Sequence, residues 1–143
     1  MVNKKNLLGM LVMVLVFGMM IIGCKDTDAE TTKIIKYQVT GVIPAGLTCK
    51  IIYDDAYTDN PGITLNNVQL PWEKTTSETR KVGSSYIVSI TAGFTNKDGI
   101  WVVGTTGAYI TTKIFVDGTE VRADSGPNGP QSAGTSSSAV IIW

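Results

Sequence analysis

Apolar and polar residues alternate along four runs of this sequence, the pattern of β-strands with one buried and one wet face. The runs are residues 35–41, 49–53, 86–92 and 110–116. Pro, Gly, Asn and Asp separate them, and no window sustains a helical period. Many short strands with such turn signals predict an all-β domain, an antiparallel β-sandwich rather than a parallel sheet.

We expect seven or eight strands. They cover residues 33–42, 48–54, 62–68, 72–81, 85–95, 100–103 with 107–116, 119–124, and 136–143. Asp117 and Gly118 predict a two-residue type I′ turn, because both positions of that turn need positive φ. The turn would place Val116 opposite Thr119 and Ile114 opposite Val121 on the core face, with Phe115 opposite Glu120 and Lys113 opposite Arg122 outside. Period-two alternation also points Ile51, Val88 and Ile90 inward, and Lys36, Gln38, Ser89 and Thr91 outward.

The segment 1–23 differs from the rest of the chain. All five methionines lie between Met1 and Met20, and Lys4 and Lys5 precede an uncharged apolar run from Leu7 to Ile22. A membrane-spanning helix usually needs about 20 apolar residues, so the run is short for an uncut anchor. The pattern predicts a helical signal peptide that is removed from the mature protein.

The end of this run resembles a bacterial lipobox, since Gly23 and Cys24 directly follow two isoleucines. The resemblance implies that Cys24 carries a diacylglyceryl group and becomes the first residue of the mature chain, with fatty acids such as palmitate as the anchor. It also implies three segments: a signal peptide over residues 1–23, an acylated polar tether over 24–33 and the sandwich over 34–143. Two or three acyl chains are enough for stable membrane attachment.

The charge balance excludes some classes of function. The chain has twelve basic and twelve acidic side chains and no histidine, and removal of residues 1–23 leaves ten basic against twelve acidic. A mildly acidic chain has no basic patch for nucleic acid. Without histidine it lacks the usual general base and the commonest zinc ligand. We therefore expect no enzyme activity, no cofactor and no metal centre.

Two sets of residues are candidates for chemistry. Cys49 is the cysteine that remains once Cys24 is modified, and we expect it to be a small buried side chain rather than a reactive thiol. Asp54, Asp55 and Asp59 could offer oxygen ligands to calcium, but their spacing fits no EF-hand loop. Asp, Asn, Pro and Gly favour a polar turn there, and ion binding by that turn stays open.

The three tryptophans have different interpretations. Trp72 follows Pro71 and is expected to cap one end of the core, and Trp143 should end the last strand. Ile100, Trp101 and Val102 form a candidate contact site for a membrane or a partner, because exposed apolar patches usually mark such sites. A strand buried on both faces would explain the same residues.

The order of several short motifs resembles the MmpS family of small envelope proteins. They are residues 37–41, 51–53, Leu70-Pro71-Trp72, 88–92 and 113–118. The resemblance implies an immunoglobulin-like sandwich outside the cytoplasmic membrane, accessory to exporters of lipids and siderophores. This chain departs from the family by carrying a lipobox in place of a transmembrane anchor, and residues 100–107 look like an insertion.

Two functions follow as hypotheses: an accessory or binding subunit of an envelope transporter, and a surface-displayed adhesion or glycan-binding module. Lys25, Asp26, Asp28 and Glu30 follow Cys24 and resemble the acidic tags that send some lipoproteins of the Bacteroidetes group to the cell surface. The same composition is ordinary for a solvated tether. We expect a protein that is lipid-anchored to the outer membrane, either on its inner face or at the cell surface.

Overall fold

The computed structural model describes residues 29–54, 62–104, 106–126 and 134–143, which form eight strands. The predicted signal peptide and Cys24 lie outside the described residues. The strands are β1 (Glu30–Val42), β2 (Thr48–Tyr53), β3 (Ile63–Val68), β4 (Trp72–Lys81), β5 (Ser85–Thr95), β6 (Tyr109–Val116), β7 (Thr119–Ser125) and β8 (Gly134–Ile142).

The strands form two four-stranded antiparallel sheets that pack as a sandwich. The first, called sheet A, has the order β4-β1-β6-β7, and sheet B has the order β3-β2-β5-β8. In sheet A, β1 pairs with β4 and β6, and in sheet B, β5 pairs with β2 and β8. The predicted sandwich is confirmed, with eight strands.

The core lies between the sheets and is built from alternate residues of the central strands. Ile35, Tyr37 and Val39 of β1 face Ile51 of β2 and Ile90 of β5, and all five are fully buried. Tyr37 donates its hydroxyl to the carbonyl oxygen of Asp54 at 2.7 Å, which satisfies the buried phenol. The predicted inward residues Ile51, Val88, Ile90 and Ile114 are confirmed, and so is burial of Cys49.

Two predicted strand boundaries were wrong. β1 begins at Glu30, so residues 30–33, which the sequence assigned to the tether, pair with β4. Their side chains are polar on both faces, but the hydrogen-bonded ladder uses only the backbone. Residues 100–103 form no strand apart from an isolated bridge between Trp101 and Thr95, and β6 begins at Tyr109.

The β6–β7 turn is confirmed, but the strand register beyond it differs from the prediction. Asp117 and Gly118 have φ angles of 50° and 81°, as a type I′ turn requires. Val116 pairs with Thr119 and Phe115 with Glu120.

A β-bulge between Ile114 and Phe115 then shifts the pairing by one residue. Ile114 therefore lies opposite Arg122, and Lys113 lies opposite Ala123. The predicted like-charge pair of Lys113 and Arg122 does not form. Val121, predicted to lie in the core, is instead 47% exposed.

The sandwich has two ends with different connections. At the end where β1 begins, the N-terminal end, Val82 donates its backbone N–H to the carbonyl of Ala29 at 2.8 Å. Trp143 donates its backbone N–H to Ser84 at 2.9 Å at the same end. β5 runs from Ser85 at this end to Thr95 at the other, the far end, a span of roughly 33 Å.

Candidate contact surface

The segment that follows β5 at the far end is fixed by its own hydrogen bonds. The Asn96 side-chain oxygen accepts the backbone N–H groups of Asp98 and Ile100, each at 3.0 Å. Asn96 donates its own N–H to the carbonyl of Ile100, and Val102 donates to Phe94 at 2.9 Å. Residues 96–102 therefore form a tight hairpin that extends β5.

Of the three predicted contact residues, the hairpin exposes two and partly buries the third. Ile100 is 62% exposed and Trp101 37% exposed, and Val103 beside them is also exposed. Val102 points inward and packs against the core. The interpretation as a strand buried on both faces was wrong, and Val102 does not belong to the exposed surface. Val102 donates its backbone N–H to the carbonyl of Phe94, so residues 101 and 102 run alongside the end of β5. Successive side chains of such an extended segment point to opposite faces, which places Trp101 outside and Val102 inside.

Gly104 holds the base of this hairpin against the core. A β-carbon at this position would lie 2.5 Å from a ring carbon of Phe94, a side chain that is itself buried. Only glycine lets the backbone pass this close to the ring. The exposed residues 100 and 101 are therefore presented by a segment that is packed at its base.

Trp101 borders a shallow open groove on the outer face of sheet B. The groove has a volume of about 260 Å³ and is lined by Thr91, Ala92, Trp101, Gly134, Thr135 and Ser136. The hydroxyls of Thr91 and Ser136 share a hydrogen bond at 3.0 Å, and the Lys50 ammonium lies 5.3 Å from the centre of the Trp101 ring. An indole beside hydroxyl groups can bind an apolar side chain or a sugar ring. Sequence reasoning missed these neighbours because they come from three strands far apart in the chain.

The outer face of sheet A carries paired charges. Lys36 lies 3.8 Å from Glu73, and Lys113 lies 2.7 Å from Glu120. The Lys36 ammonium also lies over the Phe115 ring, 4.7 Å from its centre.

At the edge of sheet A, Arg122 binds Asp124 through two hydrogen bonds of 2.7 and 2.9 Å. The hydrogen bonds from Arg122 lower the pKa of the Asp124 carboxyl below its usual value, and Ser137 adds to the shift. This edge of the sheet, like the outer face beside it, therefore presents charges in opposite pairs.

The outer face of sheet B is different along β5 and β8. Residues 85–95 and 134–142 contain no charged side chain. Ile87 lies opposite Val140, and Ile142 lies opposite Ser85. All three aliphatic side chains are exposed, and they lie toward the N-terminal end of the sandwich. The alternation that points Val88 inward assigns Ile87 outward, whereas the uninterrupted apolar run from Val140 to Ile142 gives no such assignment for β8.

The acidic turn is described only at its first residue, since Asp55 and Asp59 lie outside the described residues. The Asp54 carboxylate accepts a hydrogen bond from the Ser89 hydroxyl, and its backbone N–H donates to the Ser89 carbonyl at 3.1 Å. Over residues 29–54, 62–104, 106–126 and 134–143, no three Cys, Asp or Glu side chains cluster closely enough to hold a metal ion.

Cys49 and the other two tryptophans have structural positions. Burial raises the pKa of the Cys49 thiol to about 11, so the sulfur is protonated at neutral pH and unreactive. The ring of Trp72 packs against that of Tyr53 with centres 5.4 Å apart, at the end of the core. The buried Trp143 donates its indole N–H to the carbonyl of Glu78 at 3.3 Å, which joins the end of β8 to sheet A.

Comparison of the chain with protein-family models and with curated proteins finds no match. In the part of the chain that the structure describes, no helix is long and apolar enough to cross a bilayer.

Proposed function

We propose that this chain is a non-enzymatic bacterial lipoprotein whose sandwich binds a partner in the cell envelope through Ile100 and Trp101. Acyl chains on Cys24 would attach it to the outer membrane. The observation that carries the proposal is the exposure of these two apolar side chains at the end of the sandwich opposite the N-terminal strand.

The position of this hairpin favours a partner over the bilayer. Only residues 25–29 separate Cys24 from β1, so the N-terminal end lies at most about 18 Å from the anchor. Trp101 bridges Thr95, the last residue of β5, roughly 33 Å along the strand from Ser85 at the N-terminal end. A hairpin at that distance from the anchor is suited to meet another molecule above the membrane.

Two classes of partner are supported by different observations. The order of motifs from Tyr37 onward, similar to the MmpS family, favours an accessory subunit of an envelope exporter. The groove of Trp101, Thr91 and Ser136 favours the alternative, a glycan-binding module at the cell surface, because an indole face can stack on a sugar ring while hydroxyls bind its polar groups. Among the described residues Trp101 is not joined by a row of exposed aromatic side chains on that face, so we place the exporter role first.

Metabolic labelling tests the anchor. Cells that express the chain are grown with a labelled fatty acid, and the label should appear on the wild-type protein and be lost in Cys24→Ser. Cys49→Ala is the matched control, since it removes the buried cysteine and should leave labelling intact. Label that persists in Cys24→Ser would refute lipidation at this residue.

Photocrosslinking in intact cells tests the contact. A crosslinking amino acid in place of Trp101 should give a defined adduct, and the same substitution at Val121, exposed on the edge of the other sheet, should not. A protein adduct supports the accessory role, whereas specific retention on envelope polysaccharide, lost in Trp101→Ala, supports the glycan-binding role. Equal behaviour of positions 101 and 121 would overturn both.

Protease treatment of intact cells separates the two locations. Digestion of the sandwich without lysis indicates surface display, and full protection places it inside the envelope, where an exporter subunit would act.

A further inference from the structure

Four aliphatic side chains form one exposed corner of the sandwich at its N-terminal end. They are Val82, Ile87, Val140 and Ile142, with exposures of 58%, 61%, 64% and 68%. Ile87 and Val140 are direct cross-strand neighbours. The turn that holds Val82 is bonded to the end of β8, because Gly83 donates to the Trp143 carbonyl. We call these four residues the aliphatic corner.

The corner is unlike the scattered apolar residues of an ordinary surface. Its members lie on adjacent strands and the adjoining turn, and neither β5 nor β8 contains a charged residue. Adjacent exposed aliphatic side chains of this kind mark a surface that contacts something else.

The point where the chain enters the sandwich indicates what covers the corner. Val82 is hydrogen-bonded through its N–H to Ala29, the residue directly before β1, so the segment from Cys24 arrives beside the corner. The segment 25–29, even when fully extended, reaches at most about 18 Å. We infer that the aliphatic corner lies against the surface of the membrane that holds the acyl chains of Cys24, an inference that rests on the lipidation proposed above.

Tethering explains how so small a surface can be occupied. Four side chains do not bind a bilayer firmly alone, but a short tether turns the contact into an intramolecular event with an effective concentration on the order of millimolar. Contact at this corner turns the edge of sheet B formed by β5 and β8, which carries no charged side chain, toward lipid, whereas the ion pairs of Lys36 and Lys113 on sheet A stay in water. Ser136, the groove residue nearest to the corner along β8, lies roughly 13 Å from Val140, so the Trp101 groove remains accessible.

Depth-dependent fluorescence quenching tests the contact on the full mature lipoprotein. Val140→Cys carries an environment-sensitive fluorophore, and Val121→Cys, an exposed valine on the edge strand of the other sheet, is the matched control. Cys49 does not interfere, because its buried thiol has a pKa of about 11. The proteins are reconstituted into vesicles of phosphatidylethanolamine and phosphatidylglycerol. A phospholipid with a nitroxide near its headgroup should quench the probe at position 140 strongly and the probe at position 121 weakly. Iodide dissolved in the water should quench the probe at position 121 more than the probe at position 140.

Each outcome separates this inference from the proposed function. The intact mass of the purified protein reports acylation, so a chain without acyl groups refutes the lipoprotein assignment. An acylated chain whose two probes are quenched alike by the lipid refutes the contact alone. If both quenchers fail to reach the probe at position 140, and this protection increases with protein concentration, a second copy of the chain covers the corner. That result also refutes the membrane contact.

Hydrogen exchange of the unlabelled lipoprotein gives a measurement free of the introduced probe. Amides of the 82–84 turn and of β8 should exchange more slowly on vesicles than in dilute detergent, while those of β7 should not change. Unchanged exchange at both places would contradict the contact.

Discussion

The outer faces of the two sheets are built on the same core but present different chemistry. Sheet A displays lysines matched to glutamates, such as Lys113 with Glu120 at 2.7 Å. The β5–β8 half of sheet B displays hydroxyls and exposed aliphatic side chains, with Ile87 beside Val140. Packing between the sheets restricts the inner faces mainly to apolar side chains, whereas the side chains of each outer face depend on what that face contacts. Sheet A also exposes Ile34 and Val121, so the difference lies in the charges, and the lack of charge on β5 and β8 is what supports the proposed contact.

The largest expected effect on stability comes from substitutions that distinguish the inner faces from the outer faces. Ile114→Ala in sheet A and Ile90→Ala in sheet B should each lower the free energy of unfolding by about 2–5 kcal/mol, because both side chains are fully buried. Gln38→Ala and Thr91→Ala, on the outer faces, should change it by less than about 0.5 kcal/mol. Urea unfolding followed by tryptophan fluorescence measures all four. Outward substitutions that cost more than the buried ones would break the assignment of faces.

Alkaline pH should lower the free energy of unfolding through Cys49 on the inner face of sheet B. The pKa of Cys49 is raised by burial from 9.0 to about 11 in the folded chain, so the unfolded chain loses the thiol proton first. The stabilisation is fully present below pH 9 and is lost as pH rises through 11, a loss of up to roughly 3 kcal/mol.

The measurement is the free energy of unfolding of the wild type and of Cys49→Ala at several pH values from 8 to 11. The two proteins differ only at position 49, so the difference between the two curves isolates the thiol. Parallel curves would show that the Cys49 thiol is not held in a desolvated site.

A smaller effect should distinguish the outer faces by their response to salt. A double-mutant cycle on Lys113 and Glu120 should give a coupling of about 0.2–1 kcal/mol at low ionic strength, and less in about 1 M salt because exposed charges are screened. The same cycle on Thr91 and Ser136, whose hydroxyls share a hydrogen bond on sheet B, should not depend on salt. Equal salt dependence of the two couplings would remove the electrostatic distinction between the faces.

The smallest expected effect is on stability at the aliphatic corner. Val140→Ser and Val121→Ser should each change the free energy of unfolding of the lipid-free chain by no more than about 0.5 kcal/mol, because both valines are exposed. On vesicles, only Val140→Ser should speed hydrogen exchange in β8. A large loss of stability from Val140→Ser alone would mean that the corner is part of the fold rather than a contact surface.

The sequence was sufficient for those parts of the fold in which a local pattern has one physical meaning. Alternation identified inward residues of β2, β5 and β6, because burial on one side of a strand imposes a period of two. The turn at Asp117 and Gly118 was predictable because few residues tolerate positive φ at both positions.

Features that depend on distant partners were not predictable in this way. The bulge that exposes Val121 has no local signature, and the polar residues 30–33 join β1 only because β4 offers a backbone to pair with. The same limit applies to the candidate site. Exposure of Trp101 was one of two interpretations, and its neighbours Thr91 and Ser136 could be placed beside it only once β5 and β8 were known to pair.

The position of β1 in sheet A has a consequence for the order in which the chain folds. β1 emerges first from the ribosome or the export channel, but its neighbours in the sheet are β4 and β6. Ile35 pairs with Val116 of β6, and the whole of β2 to β5 lies between them in the chain. Pairing at such sequence separation slows folding, to milliseconds or seconds in typical all-β domains. β1 therefore has no partner in sheet A until β4 and β6 have followed it out, and the residues nearest the proposed anchor wait for the far part of the chain before the sandwich closes.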